Sequence, residues 1–234
     1  LFVNNDFCLA LNNAISQYGL NDYLIVESQP NGEGDKTYPE PRQIFIKYKS
    51  LFDVELSYIQ PQIILEVGAR SLFEPTEKSF IQSMITASYP SVETSVIKTA
   101  VTTAVAAKTF LEKAFLLHEL FTTDICSRAE RKSRHLYDLE RMMDMDFAVN
   151  AIKNDDLWAA IHHHREIFTR IKDVDYTGDI RNRIVLTPPD RYYQIWASDY
   201  ANMQSSMIYE KSISFDRLLE RMHELENRFK NRLK

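Results

Sequence analysis

Apolar residues recur along this chain at two periods, and the change from one to the other divides it. Over residues 6–18 (DFCLALNNAISQY), Phe7, Leu11, Ala14, Ile15 and Tyr18 fall on one side of a helix, and Gly19 suits its C-terminal cap. Three strand-like runs come next, Tyr23–Ser28, Gln43–Tyr48 and Gln62–Val67. The second alternates, with Ile44, Ile46 and Tyr48 on one face. The third is β-branched and mostly apolar, which predicts a central strand. Residues 31–41 (NGEGDKTYPEP) read as a loop. Thr76–Ala87 is expected to be helical, with Pro75 beside its first turn and Tyr89-Pro90 ending it. The small, β-branched run TSVIKTAVTTAVAAK after it fits either a strand or a turn.

From Lys108 onward the period is helical. In Lys108–Phe121, the stripe is Phe110, Ala114, Leu117 and Phe121, with Lys113 and His118 off its centre. Arg128–Met145 reads as a second helix. Its Arg128, Arg131, Arg134 and Asp138 share one face, His135 lies beside them, and Leu136, Leu139 and Met143 form the apolar side. Two such helices would line a groove with Lys113, several arginines and one carboxylate, a plausible holder for phosphates. A solvated face laced by Glu130–Arg134 and Arg134–Asp138 ion pairs accounts for the same pattern. Further helices are expected over Asp155–Lys172 and Arg191–Tyr209, then one capped by Ser214, with Ile213 and Leu218 as a hydrophobic staple. The fold class is α+β. The boundary falls near Pro90, with a sheet-bearing part over 1–90 and a helical domain over 91–234.

Composition bounds the function. With 44% hydrophobic and 26% charged residues in 234, the chain has the makings of a soluble globule with a real core. A net charge of -5 excludes a generally basic nucleic-acid coat, so any such contact must be a local patch, best placed at 128–135. Cys8 and Cys126 form no motif. No apolar run reaches membrane-spanning length, and a cytoplasmic protein is the default expectation. Glu66 sits among apolar neighbours in IILEVG, where a buried carboxylate must be paired, protonated or bound to a metal; a strand-end glutamate reaching solvent or pairing with Arg70 is the alternative. Asp53 and Glu55 would share a strand face but fall in an expected turn. His162, His163 and His164 diverge by about 100° per residue on a helix and cannot converge on one ion. Tyr192, Tyr193 and Trp196 fit base stacking, and equally a core.

The segment TFLEKAFLLHELF, followed by R-x-x-R-x-x-R-H-L-Y-D-L, resembles the helical half of the AbiEii-type nucleotidyltransferases, toxins of type IV toxin–antitoxin and abortive-infection systems. The run PPDRYYQIWASDYANMQSSMIYEKSISFDRLLERMHELE resembles that family's closing pattern, and the likeness covers roughly residues 60–230. It implies a partial nucleotidyltransferase sheet of the DNA polymerase β type followed by a larger helical domain. The implied activity moves a nucleoside monophosphate from a nucleoside triphosphate to an RNA acceptor, including tRNA, with Mg2+ and a cognate antitoxin as partner. It assigns Glu66 as a metal carboxylate, Lys113 as a phosphate-binding catalytic lysine and Asp138 as the late catalytic acid. Arg128, Arg131, Arg134 and His118 become substrate contacts. The family's G-G-T segment, with a D-x-D pair on the next strand, is not found here. The chain is therefore read as lacking an N-terminal part with two metal carboxylates, and as inactive alone. A non-catalytic module binding RNA or protein through the basic groove is the alternative.

Overall fold

A computed structural model describes residues 2–29, 42–50, 60–68, 72, 75–89 and 98–232. The expected loop at 31–41, together with Asp53, Glu55 and Arg70, lies outside the described residues. Helix α1 (Cys8–Gln17) comes after a π-helical turn over Val3–Phe7. It ends as the glycine predicts. Gly19 takes φ +67 and Leu20 N donates to Ile15 O at 3.0 Å, a six-residue closure that satisfies an end carbonyl.

Strands β1 (Leu24–Ser28), β2 (Arg42–Tyr48) and β3 (Gln62–Val67) form an antiparallel sheet in that order. Val26 faces Ile46 across one ladder and Ile44 faces Leu65 across the other. Val26 and Ile44 are the buried residues of this sheet, under α1 and the turn before it. The expectation of a central β3 is corrected: among the described residues it pairs with β2 alone, and Ile63 and Ile64 are exposed. A β-branched run looks the same at a sheet edge and in its middle, because burial comes from what covers it.

Residues 76–87 are not one helix. Thr76–Ile81 is strand β4, then Met84–Ser88 forms the short α2 under a Ser83 cap, and Thr99–Ala104 is β5. The two strands pair antiparallel, Phe80 opposite Ala100. The hydroxyl-rich β5 decides this, since it offers β4 a ladder and the Ser79 and Thr103 hydroxyls meet at 2.9 Å. This pairing spans Pro90, and the continuous run of helices begins at Ala106.

Six further α-helices follow among the described residues: α3 (Ala106–Phe121), α4 (Ser133–Met142), α5 (Asp146–Lys153), α6 (Asp155–His164), α7 (Tyr193–Ser206) and α8 (Phe215–Lys230). Helix α3 packs on α4, α5 and α6, and its whole predicted stripe is buried. Phe115 stacks on Trp158 with ring centroids 4.3 Å apart, Phe110 on Phe229 at 6.2 Å, and Phe121 meets the edge of Trp196 at 4.7 Å. Ser214 caps α8 through Arg217 N, and of the apolar positions at helical spacing Phe215, Leu218, Met222, Leu225 and Phe229 are buried while Leu219 is half-buried. Helix α6 stops eight residues short of Lys172, passes into a π-helical turn over Arg165–Thr169 and ends with Arg170 at φ +40. Among the described residues, no helix is long and apolar enough to cross a membrane.

The aromatic core gives a direct test. Phe110→Ala should cost about 3–5 kcal/mol, since the ring is fully buried against Phe229. Phe80→Ala, on a ring 74% exposed, should stay within about 0.5 kcal/mol. Urea unfolding of both variants measures the difference.

Candidate functional site

Lys113 lies on the flank of α3, off the buried Phe110–Leu117 line, so its stem packs and its head reaches the rim. Across from it, Leu136 and Leu139 anchor α4 in the core. That leaves His135 and Asp138, three apart on one side of the helix, facing α3. Lys113 Nζ donates to Asp138 Oδ2 at 2.7 Å and lies 3.4 Å from His135 Nδ1. The side chains of Lys113 and Asp138 keep 22% and 37% of their exposure, so the pair can meet a ligand.

Burial, and then the positive charges of Lys113, Arg134 and Lys132, push the His135 pKa from the ordinary 6.5 down to about 3. The ring is therefore neutral near pH 7. Its Nδ1 accepts from Lys113, which puts the remaining ring proton on Nε2. An ammonium has three donors. Two are directed at His135 and Asp138, and the third suits a phosphate oxygen. His135 is the residue whose importance the spacing understated; it was visible only as a neighbour of the basic face.

Other expected contacts fall differently. Arg128, Arg131, Arg134 and Asp138 do not share a helical face, because α4 begins at Ser133. Arg128 closes a 3-10 turn over Asp124–Ser127, and Arg131 turns back at φ +57. Arg134 is exposed beside His135. Glu66 is exposed rather than buried, and its Oε1 accepts from Gln43 Nε2 on the neighbouring strand at 2.9 Å. Its surroundings are set by the face of the sheet it shares with Gln43, its partner across the ladder, and not by the apolar run around it in sequence.

His118 is 4% exposed, and its Nδ1 accepts from Val185 N at 3.2 Å, which makes it a packing partner and not a groove ligand. Burial and then Arg183 lower its pKa to about 4. Its neighbour Glu119, only 1% exposed, takes Arg165 Nε and the Tyr176 hydroxyl on Oε1, each at 2.8 Å, and Arg165 Nη2 on Oε2. Burial and the Glu119 charge together raise the Tyr176 pKa. That closed network ties the segment after α6 to α3. The sequence signalled neither partner.

Among the histidines at 162–164, His162 contacts Tyr176 O at 2.8 Å and stacks on Phe115, while His164 stacks on Phe168. Trp196 is core, its Nε1 donating to Cys126 O at 2.9 Å. Among the described residues no three His, Cys, Asp or Glu side chains gather as a metal cage.

A family model described as "Nucleotidyl transferase AbiEii toxin, Type IV TA system" matches residues 6–221. No curated protein and no solved structure matches the chain.

Two histidines with lowered pKa values set an acid limit on stability. The folded chain holds His118 neutral, so between pH 6.5 and about 4 the unfolded chain binds the proton more readily. This contribution is complete above pH 6.5 and is lost as pH falls toward 4, by on the order of 3 kcal/mol in full. His135 acts with the same sign down to about pH 3. Urea midpoints should fall from pH 7 to pH 4.5, and fall less in His118→Asn, whose amide oxygen can accept from Val185 N. Equal falls in the two proteins would contradict the assignment to His118.

Proposed function

The chain belongs to the AbiEii family of nucleotidyl transferase toxins of type IV toxin–antitoxin systems, and on that premise we propose that it transfers a nucleoside monophosphate from a nucleoside triphosphate to an RNA acceptor, tRNA among the candidates. The observation that carries this reading is the meeting of Lys113, Asp138 and His135 at the rim of the helical part. Residues 22 and 25 positions from Lys113 bring one neutral imidazole and one carboxylate within hydrogen-bonding reach of its ammonium.

Phosphoryl and nucleotidyl transfer depend on positioning and on stabilising charge at the phosphates. Lys113 would bind a phosphate oxygen of the donor nucleotide with its third N–H. Asp138 holds that ammonium in place and keeps it from swinging into solvent. His135 accepts from the same nitrogen without adding a positive charge. Arg134, exposed beside them, suits a phosphate of the acceptor strand as a planar, bidentate donor. His118 has no part in this reading, and Arg131 contributes its backbone N–H to the start of α4.

Magnesium belongs to the reading as the counter-ion of the donor triphosphate. Among the described residues no three His, Cys, Asp or Glu side chains gather, and Glu66 brings a single carboxylate with one oxygen hydrogen-bonded to Gln43, so the triphosphate itself would supply most of the ion's ligands. No step is therefore assigned to the ion. A cognate antitoxin is the expected protein partner, and an RNA acceptor makes the cytoplasm the expected compartment.

The test uses the full-length protein with each labelled nucleoside triphosphate, magnesium and total RNA. Label should pass to RNA with one nucleotide or more. Lys113→Ala and Asp138→Ala should lower it at least about 100-fold with circular dichroism unchanged. RNA retained without label, with every nucleotide tried, would replace the transferase by a module that binds RNA through Arg134 and its neighbours.

A further inference from the structure

Asp199 comes from α7 and is 7% exposed, yet its carboxylate bonds to the start of α4. Its Oδ1 accepts from Arg131 N at 2.6 Å. Its Oδ2 accepts from Ser133 N at 2.9 Å and from Ser133 Oγ at 2.5 Å. Between those two donors the chain reverses. Arg131 stands at φ +57, a left-handed conformation that a long L side chain rarely adopts, and α4 starts two residues later. Lys132, at the N-cap position, gives the helix no side-chain cap. The carboxylate from α7 supplies that cap from a distance, and as an anion it also suits the positive end of the helix dipole.

Where α4 starts determines where its functional side chains point. His135 is two residues beyond Ser133 and Asp138 is five. A helix advances about 1.5 Å and turns about 100° per residue. Leu136 and Leu139 set which side of α4 faces the core, and the clamp on Arg131 N and Ser133 seats its first turn; a register slip of one residue there would carry His135, in that turn, away from Lys113. We propose that Asp199 is the positioning residue of the Lys113–Asp138 site: by clamping Arg131 N and Ser133 it holds the left-handed turn and fixes the rotation at which His135 and Asp138 meet Lys113. The inference rests on the transferase reading for its effect on rate, while its effect on geometry stands apart from it.

Asp199→Asn, nearly isosteric, tests the clamp in the full chain, because its amide nitrogen must face a donor that the carboxylate oxygens now accept from. The variant should keep a cooperative fold. Its kcat for RNA labelling should fall about tenfold or more, as expected for a small misplacement of reacting groups, with the nucleotide KM within about threefold. The His135 ring, held near pH 3 in the parent, should titrate toward its ordinary range by NMR. Arg131→Gly supplies the rescue arm, since glycine takes positive φ without strain. Measured on that background, the loss from Asp199→Asn should shrink at least about threefold. A lowered Tm with parental His135 titration and parental kcat would overturn the proposal and leave Asp199 a stabilising cap. Should the parent label no RNA, the transferase reading falls, and the His135 titration still decides: a shift supports the clamp, and no shift overturns it.

Discussion

Helix α3 is buried along most of its length, and it is not an apolar helix. It carries Lys108, Lys113, His118 and Glu119 into or against the core, where an uncompensated charge costs several kcal/mol. Each must therefore be met where it stands. Lys108 Nζ donates to Leu72 O, Lys113 to Asp138, Glu119 receives Arg165 and Tyr176, and His118 stays neutral against Val185 N. Each contact fixes another stretch of chain on α3: residue 72, α4, the turn after α6, and the segment leading to α7. Hydrophobic packing supplies the mass of the core, with Phe115 on Trp158 and Phe110 on Phe229. The polar contacts decide which segment lies against which side of the central helix.

Those contacts differ in a way that bears on function. Glu119 is closed on every side, its acceptors taken by a guanidinium and a phenol, and burying it fully makes the network a fixed joint. Lys113 and Asp138 form the same kind of contact at the rim, where both keep part of their exposure. A partly exposed ion pair is worth little to stability.

Much of this was legible in the chain. The stripe of α3, the cap and stripe of α8, the glycine end of α1 and the three strands of the first sheet come from period and from turn chemistry, because each is set by neighbours within a few residues. That Lys113 and Asp138 would line one groove was read from helical faces, but their direct hydrogen bond was not. The failures have one cause. Whether Thr76–Ile81 is strand or helix depends on Thr99–Ala104, beyond a proline. Whether β3 is central or at an edge depends on what lies beside it. His118 looked free because its hydrogen-bond donor, Val185 N, is 67 residues away. For Glu66 the apolar neighbours left burial and a reach to solvent both open, because exposure is a property of the sheet and not of the run.

The basic face of residues 128–138 failed for a more specific reason, and it narrows how phosphates can be held. A helical period through Arg128, Arg131 and Arg134 is real in the letters. The chain breaks it at Arg131 because Asp199 rewards the break with three hydrogen bonds. An uncapped helix start is a ready site for a phosphate, with free N–H groups and a positive dipole end. Here that position already holds the chain's own carboxylate, which takes both Arg131 N and Ser133 N. Backbone capture of phosphate at this helix end is thereby closed off. On the proposed reading a nucleotide or an RNA strand is held by side chains, by the ammonium that Asp138 and His135 meet and by the exposed Arg134 beside it. The left-handed turn that spoils the predicted face is thus the same feature that turns His135 and Asp138 toward Lys113.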